Sequence, residues 1–420
     1  VKNSRVKIYI ERILEGKIEK LLTSPEIIAI LGARQVGKTT LMKRLYDDLP
    51  EPKAFVDFED QEVLSLFEED VKAFAQIYVQ GKRYLLIDEF QYSKKGGKHL
   101  KYLYDNFETK FIISGSSSLD ISLKAVSYLV GRVFILELFP LSFEEFLSYK
   151  DPDLLALAKE RLGREETLPS ALHERLLGSF EEFSIWGGYP RVVTASDEEE
   201  RREVLKNIFN TYLLKDIRGF FRLATEANIQ KLIRALAFQV GGMIQYNELS
   251  QVSELPYSAL KRHLAILEET YILELVRPFY TNKRLEITKN PKVYFVDPGF
   301  RNYICQDFRG WNKRADTGSV IENAVATELM KKGLEFRYWR TKAKGEVDFV
   351  ISEGSDIIPL EVKSGVIRNP GKGFLSFLQK YSPPRGYLLH AGSSSHKVYQ
   401  GVKIHFLPLY GVLSLGFSAG

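Results

Sequence analysis

Gly32-Ala33-Arg34-Gln35-Val36-Gly37-Lys38-Thr39 follows a short apolar run, Ile27-Ile28-Ala29-Ile30-Leu31. It precedes Thr40-Leu41-Met42-Lys43-Arg44-Leu45, which has the spacing of a helix. Strand, glycine-bounded turn and helix is the setting that a phosphate-binding loop requires. Glycines let backbone N–H groups close around phosphate oxygens, and a helix start adds partial positive charge there. Gly32, Ala33, Arg34, Gln35, Val36, Gly37, Lys38, Thr39 and Thr40 are therefore expected to bind a nucleotide. Lys38 is expected to reach the β- and γ-phosphates as a catalytic residue, and Thr39 to hold Mg²⁺. The competing reading is a chance glycine turn, and the full pattern in this context argues against it.

Working outward, Lys53-Ala54-Phe55-Val56-Asp57-Phe58 reads as a second strand. Tyr84-Leu85-Leu86-Ile87-Asp88-Glu89 reads as a buried strand ending in two acids. About fifty residues after a phosphate-binding loop, that is the form of the element that holds Mg²⁺ and activates water. Asp88 is expected to hold the metal shell and Glu89 to act as the catalytic base. Lys110-Phe111-Ile112-Ile113-Ser114-Gly115-Ser116 is another strand, and ligands of parallel sheets gather at the carboxyl ends of strands. Ser114 or Ser116 is thus a candidate to sense the γ-phosphate, with a plain turn as the alternative. Val133-Phe134-Ile135-Leu136-Glu137-Leu138 closes the set. Arg132 before it is a candidate charge-neutralising finger, in cis or from a neighbouring subunit, or else a surface residue. Residues 5–24 read as one amphipathic helix leading into the first strand.

A chain of 420 residues is expected to hold two to four domains. Hydrophobic residues make up 45% and charged residues 27%, a soluble globular composition. The single cysteine, Cys305, excludes an intrachain disulfide and fits a reducing, cytoplasmic setting. No apolar run approaches the ~20 residues of a membrane span, and the charged start has no signal-peptide core. Acids exceed bases by six in residues 1–204, whereas bases exceed acids by six in residues 205–317 and by five in residues 318–420. A basic back half suggests a polyanionic partner, with scattered solvated lysines as the alternative.

Alternating strands and helices with a phosphate-binding loop imply a parallel sheet covered on both faces. The loop, the Leu-Leu-Ile-Asp-Glu strand, Ser-Gly-Ser-Ser and Phe139-Pro140-Leu141-Ser142-Phe143-Glu144-Glu145-Phe146 together resemble a family of prokaryotic, archaeal-type AAA ATPases. In that family the ATPase is fused to a C-terminal domain of unknown function. The resemblance covers nearly the whole chain and implies ATP and Mg²⁺ as cofactors, but no substrate. Residues 141–215 have helical spacing and are expected to form a lid, interrupted by Trp186-Gly187-Gly188-Tyr189-Pro190-Arg191. The resembling family has a Gly-Gly-(Tyr/Phe)-Pro turn here. Arg191 is a candidate to reach the nucleotide, or a surface residue beside a turn.

Residues 225–300 change pattern. Residues 229–240, 246–252 and 256–267 read as three helices, and residues 272–276 and 292–296 as two strands. Three helices and a hairpin is the order of a winged helix-turn-helix. On the third helix Tyr257, Ser258, Lys261 and Arg262 are expected to face outward, while Leu260, Leu264 and Leu267 pack. Lys283 and Arg284 are expected at the wing tip, contacting phosphates. These six are the candidate DNA-binding residues; winged helices also serve protein contacts.

Residues 318–329 read as a helix. Phe336-Arg337-Tyr338-Trp339-Arg340, Glu346-Val347-Asp348-Phe349-Val350 and Pro359-Leu360-Glu361-Val362-Lys363 read as three strands of a meander. Alternate strand residues share a face, so Glu361 and Lys363 project together and Asp348 on the next strand can meet them. Two carboxylates form an oxygen-rich site for Mg²⁺, Lys363 can orient a water as a catalytic residue, and Glu322 is expected to complete the metal shell. This order of helix Glu, strand Asp and Glu-x-Lys resembles the PD-(D/E)xK nuclease fold. Val347 stands where that fold often has Pro.

The fold expected is α/β: a P-loop parallel-sheet ATPase (residues 1–140), a helical lid (141–215), a winged helix-turn-helix (216–300) and a C-terminal α/β PD-(D/E)xK nuclease-like domain (301–420). The function expected is ATP binding and hydrolysis coupled to DNA engagement, with Mg-dependent DNA cleavage or, alternatively, a regulatory switch whose nuclease-like domain does not cut. A membrane partner is not expected, and assembly into a homo-oligomer is left open by the residues themselves.

Overall fold

The computed structural model describes residues 8–115, 127–164, 167–212, 225–282, 284, 286, 289–341 and 345–416. Ser116 and Lys283, named above, lie outside these. The chain divides into two compact units, Val1–Pro140 with Glu269–Ile272, and Leu141–Glu268 with Leu273–Gly420. Among the described residues no helix is long and apolar enough to cross a membrane.

The first unit is built on five strands: β1 (Ile27–Leu31), β2 (Lys53–Asp57), β3 (Tyr84–Asp88), β4 (Lys110–Gly115) and β5 (Val133–Glu137). Their order is β2-β3-β4-β1-β5 and every pairing is parallel. Strands β1, β3 and β4 are buried at every position, which explains their unbroken apolar runs. β3, β4 and β1 are adjacent, so Asp88, Ser114 and the loop after Leu31 share one end of the sheet. The first helix spans only Ile13–Leu21, shorter than residues 5–24. Arg12 before it is extended (φ −108°, ψ 132°), which ends the helical run there.

In the second unit, the segment expected as a lid packs its own aromatic core. Phe143 meets Phe180 edge-on at 5.1 Å and Phe183 at 5.6 Å. The Phe143 N–H donates to Glu328 Oε1 at 3.0 Å, tying this segment to the Thr317–Lys331 helix. The turn at Gly187 and Gly188 is explained by close approach. A Cβ at Gly187 would lie 2.1 Å from Asp297 Oδ1, and one at Gly188 2.1 Å from Leu141 O. Asp297 accepts the N–H groups of Gly188 at 2.7 Å and Phe300 at 2.8 Å.

Helices Glu226–Phe238, Tyr246–Ser253 and Tyr257–Glu269 precede β6 (Leu273–Val276) and β7 (Lys292–Phe295), which pair antiparallel. Residue 278, in the connection between β6 and β7, runs parallel beside Tyr338, so that connection reaches the next sheet. That sheet has six strands: β8 (Phe336–Arg340), β9 (Glu346–Glu353), β10 (Asp356–Val362), β11 (Arg385–His390), β12 (Ser395–Tyr399) and β13 (Val402–Pro408). Their order is β12-β13-β11-β10-β9-β8. β8, β9 and β10 form the antiparallel meander, whereas β10 pairs β11 in parallel after the Lys372–Tyr381 helix.

Candidate functional site

The loop after β1 turns on two left-handed residues, Gln35 (φ 63°) and Gly37 (φ 100°), and Gly37 caps the Lys38–Asp48 helix. Glycine takes that conformation without steric cost. A Cβ on Gly32 would lie 2.1 Å from Leu138 O, so the loop's first position also requires glycine. Lys38 is 5% exposed and its Nζ donates to Gly32 O at 2.9 Å and Ala33 O at 2.7 Å. Thr39 is half-buried beside it, while Gln35 and Thr40 are exposed.

At the end of β3, Asp88 is fully buried. Its Oδ1 is hydrogen-bonded by the Ser114 hydroxyl and accepts the Glu89 N–H at 3.1 Å. Its Oδ2 is buried without a hydrogen-bond partner. An orphaned, buried carboxylate oxygen next to a phosphate-binding loop is what a hard cation such as Mg²⁺ needs, so these residues fit the ion. Glu89 is left-handed (φ 53°) and half-buried. Burial pushes its carboxyl above the ordinary value, against the opposing pull of the Gln91 amide and Lys38.

A second cluster lies in the other unit. The β9–β10 register sets Leu360 opposite Phe349, the neighbours of Glu361 and Asp348 along their strands. Asp348 Oδ2 accepts the Val362 N–H at 2.8 Å. Lys363 Nζ stands 2.7 Å from Glu361 Oε1, while Glu361 Oε2 is buried without a partner. Burial raises the Glu361 pKa, opposed by Lys363. Burial pulls Lys363 down, but Asp348 and Glu361 outweigh it and leave it raised.

Glu322 is engaged elsewhere. Its Oε1 accepts from Lys292 Nζ at 3.1 Å and from the Tyr294 hydroxyl at 2.5 Å. Burial raises its pKa, with the nearby Asp348 charge adding to the effect. Among the described residues no three His, Cys, Asp or Glu side chains gather to hold a metal ion. Glu322 was expected to complete a metal shell with Asp348 and Glu361; in the structure a lysine and a tyrosine from β7 take its Oε1.

On the Tyr257–Glu269 helix, Tyr257, Ser258, Lys261 and Arg262 are exposed and Leu260, Leu264 and Leu267 buried. Lys261 Nζ stands 4.8 Å from the Tyr257 ring centre and 5.7 Å from that of Tyr246. Arg284 is exposed.

Residues 24–147 match the family model of an AAA domain. The front of this chain is an AAA-family P-loop ATPase domain. Residues 177–312 and 317–410 match two further models, each described only as a domain of unknown function (DUF8612 and DUF4143). Similar proteins include an uncharacterized protein of Haemophilus influenzae, 26% identical over 360 residues (82% of this chain, 84% of the relative). Another is an uncharacterized protein of Methanocaldococcus jannaschii, 25% identical over 419 residues (92% of this chain, 86% of the relative). Among solved structures, Aeropyrum pernix ORC1 in complex with DNA is 15% identical at TM-score 0.28, covering 71% of this chain and 93% of that one. The Thermotoga maritima RuvB Holliday junction branch migration motor is 17% identical at TM-score 0.27, covering 63% of this chain and 87% of that one.

The AAA domain brings Lys38, Asp88, Glu89 and Ser114 to one end of its sheet. Arg132 is not with them. It precedes β5, and its carbonyl accepts the N–H of Ile27, the first residue of β1. That is the end of β1 opposite the loop, roughly 16 Å away for a five-residue strand. Its side chain pairs with Asp105 at 3.4 Å. A finger acting in cis is thus corrected, and a neighbouring subunit's site is the form of that idea this position allows. Arg191, in the second unit, is ion-paired with Glu200.

Two residues escaped the sequence reading. Arg12 is 7% exposed and its guanidinium donates to Val36 O at 2.9 Å and Phe139 O at 2.6 Å, bracing the AAA domain's loop. Lys292 was visible only as a charged residue opening an apolar strand.

Proposed function

We propose that this chain is an ATP-binding and ATP-hydrolysing switch whose second unit engages DNA without cutting it. The observation that carries the ATPase half is the Ser114 hydroxyl linking Asp88 and the Glu89 backbone, on the strand between β3 and β1. In this reading the loop N–H groups and Lys38 bind the phosphates, and Glu89 takes the proton of the attacking water. Asp88, through Oδ2, and Thr39 would hold Mg²⁺, which supplies charge neutralisation on the phosphates.

DNA engagement is supported by the exposed Tyr257, Ser258, Lys261 and Arg262 on one helix of a winged-helix-like order, and by the basic excess of residues 205–420. The absence of cleavage is supported by the Lys292 and Tyr294 contacts to Glu322. A second reading, Mg-dependent cleavage in a PD-(D/E)xK-like fold, is favoured by the unpartnered Glu361 Oε2 beside Lys363. The lone cysteine agrees with a cytoplasmic setting.

The test is ATP turnover by the full chain with and without DNA duplexes and junctions, alongside a Mg²⁺/Mn²⁺ cleavage assay. DNA-stimulated turnover without strand scission is the expected result. Scission abolished by Asp348→Ala would establish the second reading, and turnover that survives Lys38→Ala would sink the ATPase assignment.

A further inference from the structure

Lys292 sits on strand β7, only 2% exposed. Its Nζ stands 3.1 Å from Glu322 Oε1, on the Thr317–Lys331 helix, and 2.6 Å from Glu346 Oε1, on β9. Tyr294, two residues along the same strand, adds its hydroxyl to Glu322. The Tyr338 ring centre lies 5.6 Å from the same ammonium. Partly buried carboxylates from two different elements therefore meet at one buried lysine.

A buried carboxylate is tolerated only against a counter-charge or full hydrogen bonding. In an oxygen-rich site the usual counter-charge is a divalent cation. Lysine supplies a compact point charge on a flexible stem and can stand at such a position. Of the remaining acids, Asp348 takes the Val362 N–H and Glu361 Oε1 takes Lys363, while Glu361 Oε2 is buried without a partner. Burial alone would pull Lys292 toward neutrality, but Glu322, Asp348 and Glu346 outweigh it and hold it charged.

We propose that Lys292 is an internal cation standing in place of a divalent metal between Glu322 and Glu346, which makes this carboxylate cluster a closed one that takes up no Mg²⁺ or Mn²⁺. The inference rests on the non-cleaving reading above and gives it an atomic cause. It also predicts that the site is one residue from being a metal site. With Lys292 removed, two facing carboxylates are left to attract a cation.

The experiment uses the full chain carrying Asp88→Asn, which silences cation binding at the phosphate loop, and no nucleotide. Mn²⁺ binding is followed by electron paramagnetic resonance and by the unfolding temperature. With Lys292 intact, no bound Mn²⁺ and no shift in unfolding temperature are expected. Adding Lys292→Met should lower the unfolding temperature, create one Mn²⁺ site and let Mn²⁺ restore the lost stability. Adding Glu322→Gln as well should abolish that site. One Mn²⁺ bound with Lys292 intact and lost on Glu361→Gln overturns the proposal. So does a folded Lys292→Met chain that takes up no Mn²⁺. Should Lys292→Met fold poorly, refolding with Mn²⁺ is expected to recover it, and failure to recover counts against the idea. ATP turnover by Lys292→Met without Asp88→Asn reports on the other unit, so a failed metal test and a failed ATPase reading are told apart.

Discussion

The Ser114 hydroxyl is hydrogen-bonded to Asp88 Oδ1 and accepts the Glu89 N–H at 3.2 Å, so one side chain on β4 fixes both acids at the end of β3. Ser114→Ala removes that support without touching the loop. ATP hydrolysis is expected to slow by about 10–100-fold, as is usual when a residue orienting a ligand group is lost, while nucleotide affinity changes little. A variant that loses affinity and rate together would mean that Ser114 contacts the nucleotide directly. Steady-state turnover and fluorescent-nucleotide titration separate the two.

Glu89 gives a prediction with a sign. A base works only when ionised, and burial has raised the pKa of Glu89, so turnover should fall on acidification at a higher pH than for an exposed glutamate. The Gln91 amide favours the ionised form. Gln91→Ala should therefore move the acid limb of kcat/KM to still higher pH. Glu89→Gln should remove the limb and about 10²–10⁴-fold of the rate. An unmoved limb in Gln91→Ala would exclude Glu89 as the titrating base.

Arg12 donates to a buried carbonyl, of Val36, and a partly buried one, of Phe139, in the first unit. Arg12→Ala is expected to cost about 1–3 kcal/mol of stability, the penalty for leaving such groups unsatisfied. Because Val36 belongs to the loop, ATP binding should weaken as well. Thermal unfolding with and without ATP measures both effects.

Lys261 and Arg262 are the exposed cations of the Tyr257–Glu269 helix. If they contact phosphates, each alanine substitution should reduce the slope of log affinity against log salt by about one. Unchanged slopes in both variants would move the DNA contact elsewhere. Fluorescence anisotropy across a salt series is sufficient.

Gly188→Ala would place a Cβ 2.1 Å from Leu141 O. Backbone must move to accept it, at a cost of about 1–3 kcal/mol, as for other overpacked sites. The second unit's unfolding temperature should drop while nucleotide binding by the first unit is retained.

The first unit was largely legible because its signals are local. Buried parallel strands read as apolar runs, and the loop pattern spans eight consecutive residues. Ser114 was legible as a strand-end residue, though not its link to Asp88. Arg12 was not, because nothing in its neighbourhood announces contact with Val36, far along the chain. Arg132 misled for a related reason: adjacency to a strand says nothing about which end of a neighbouring strand it reaches. Glu322 was correctly placed on a helix facing the acids, but its partners are Lys292 and Tyr294, on a strand whose apolar pattern hid them. Periodicity reports which face a residue lies on and is silent about which distant side chain meets it.

The bridge from Lys292 to Glu322 and Glu346 has a consequence for how this chain can be divided. The two matched regions of unknown function meet between residues 312 and 317. That seam leaves the lysine on one side and both acids on the other. A fragment beginning at residue 317 would inherit both carboxylates without the ammonium they share, with Arg340, 3.8 Å from Glu346, as the cation left beside them. Cutting at that seam would split one ion-paired cluster between two pieces.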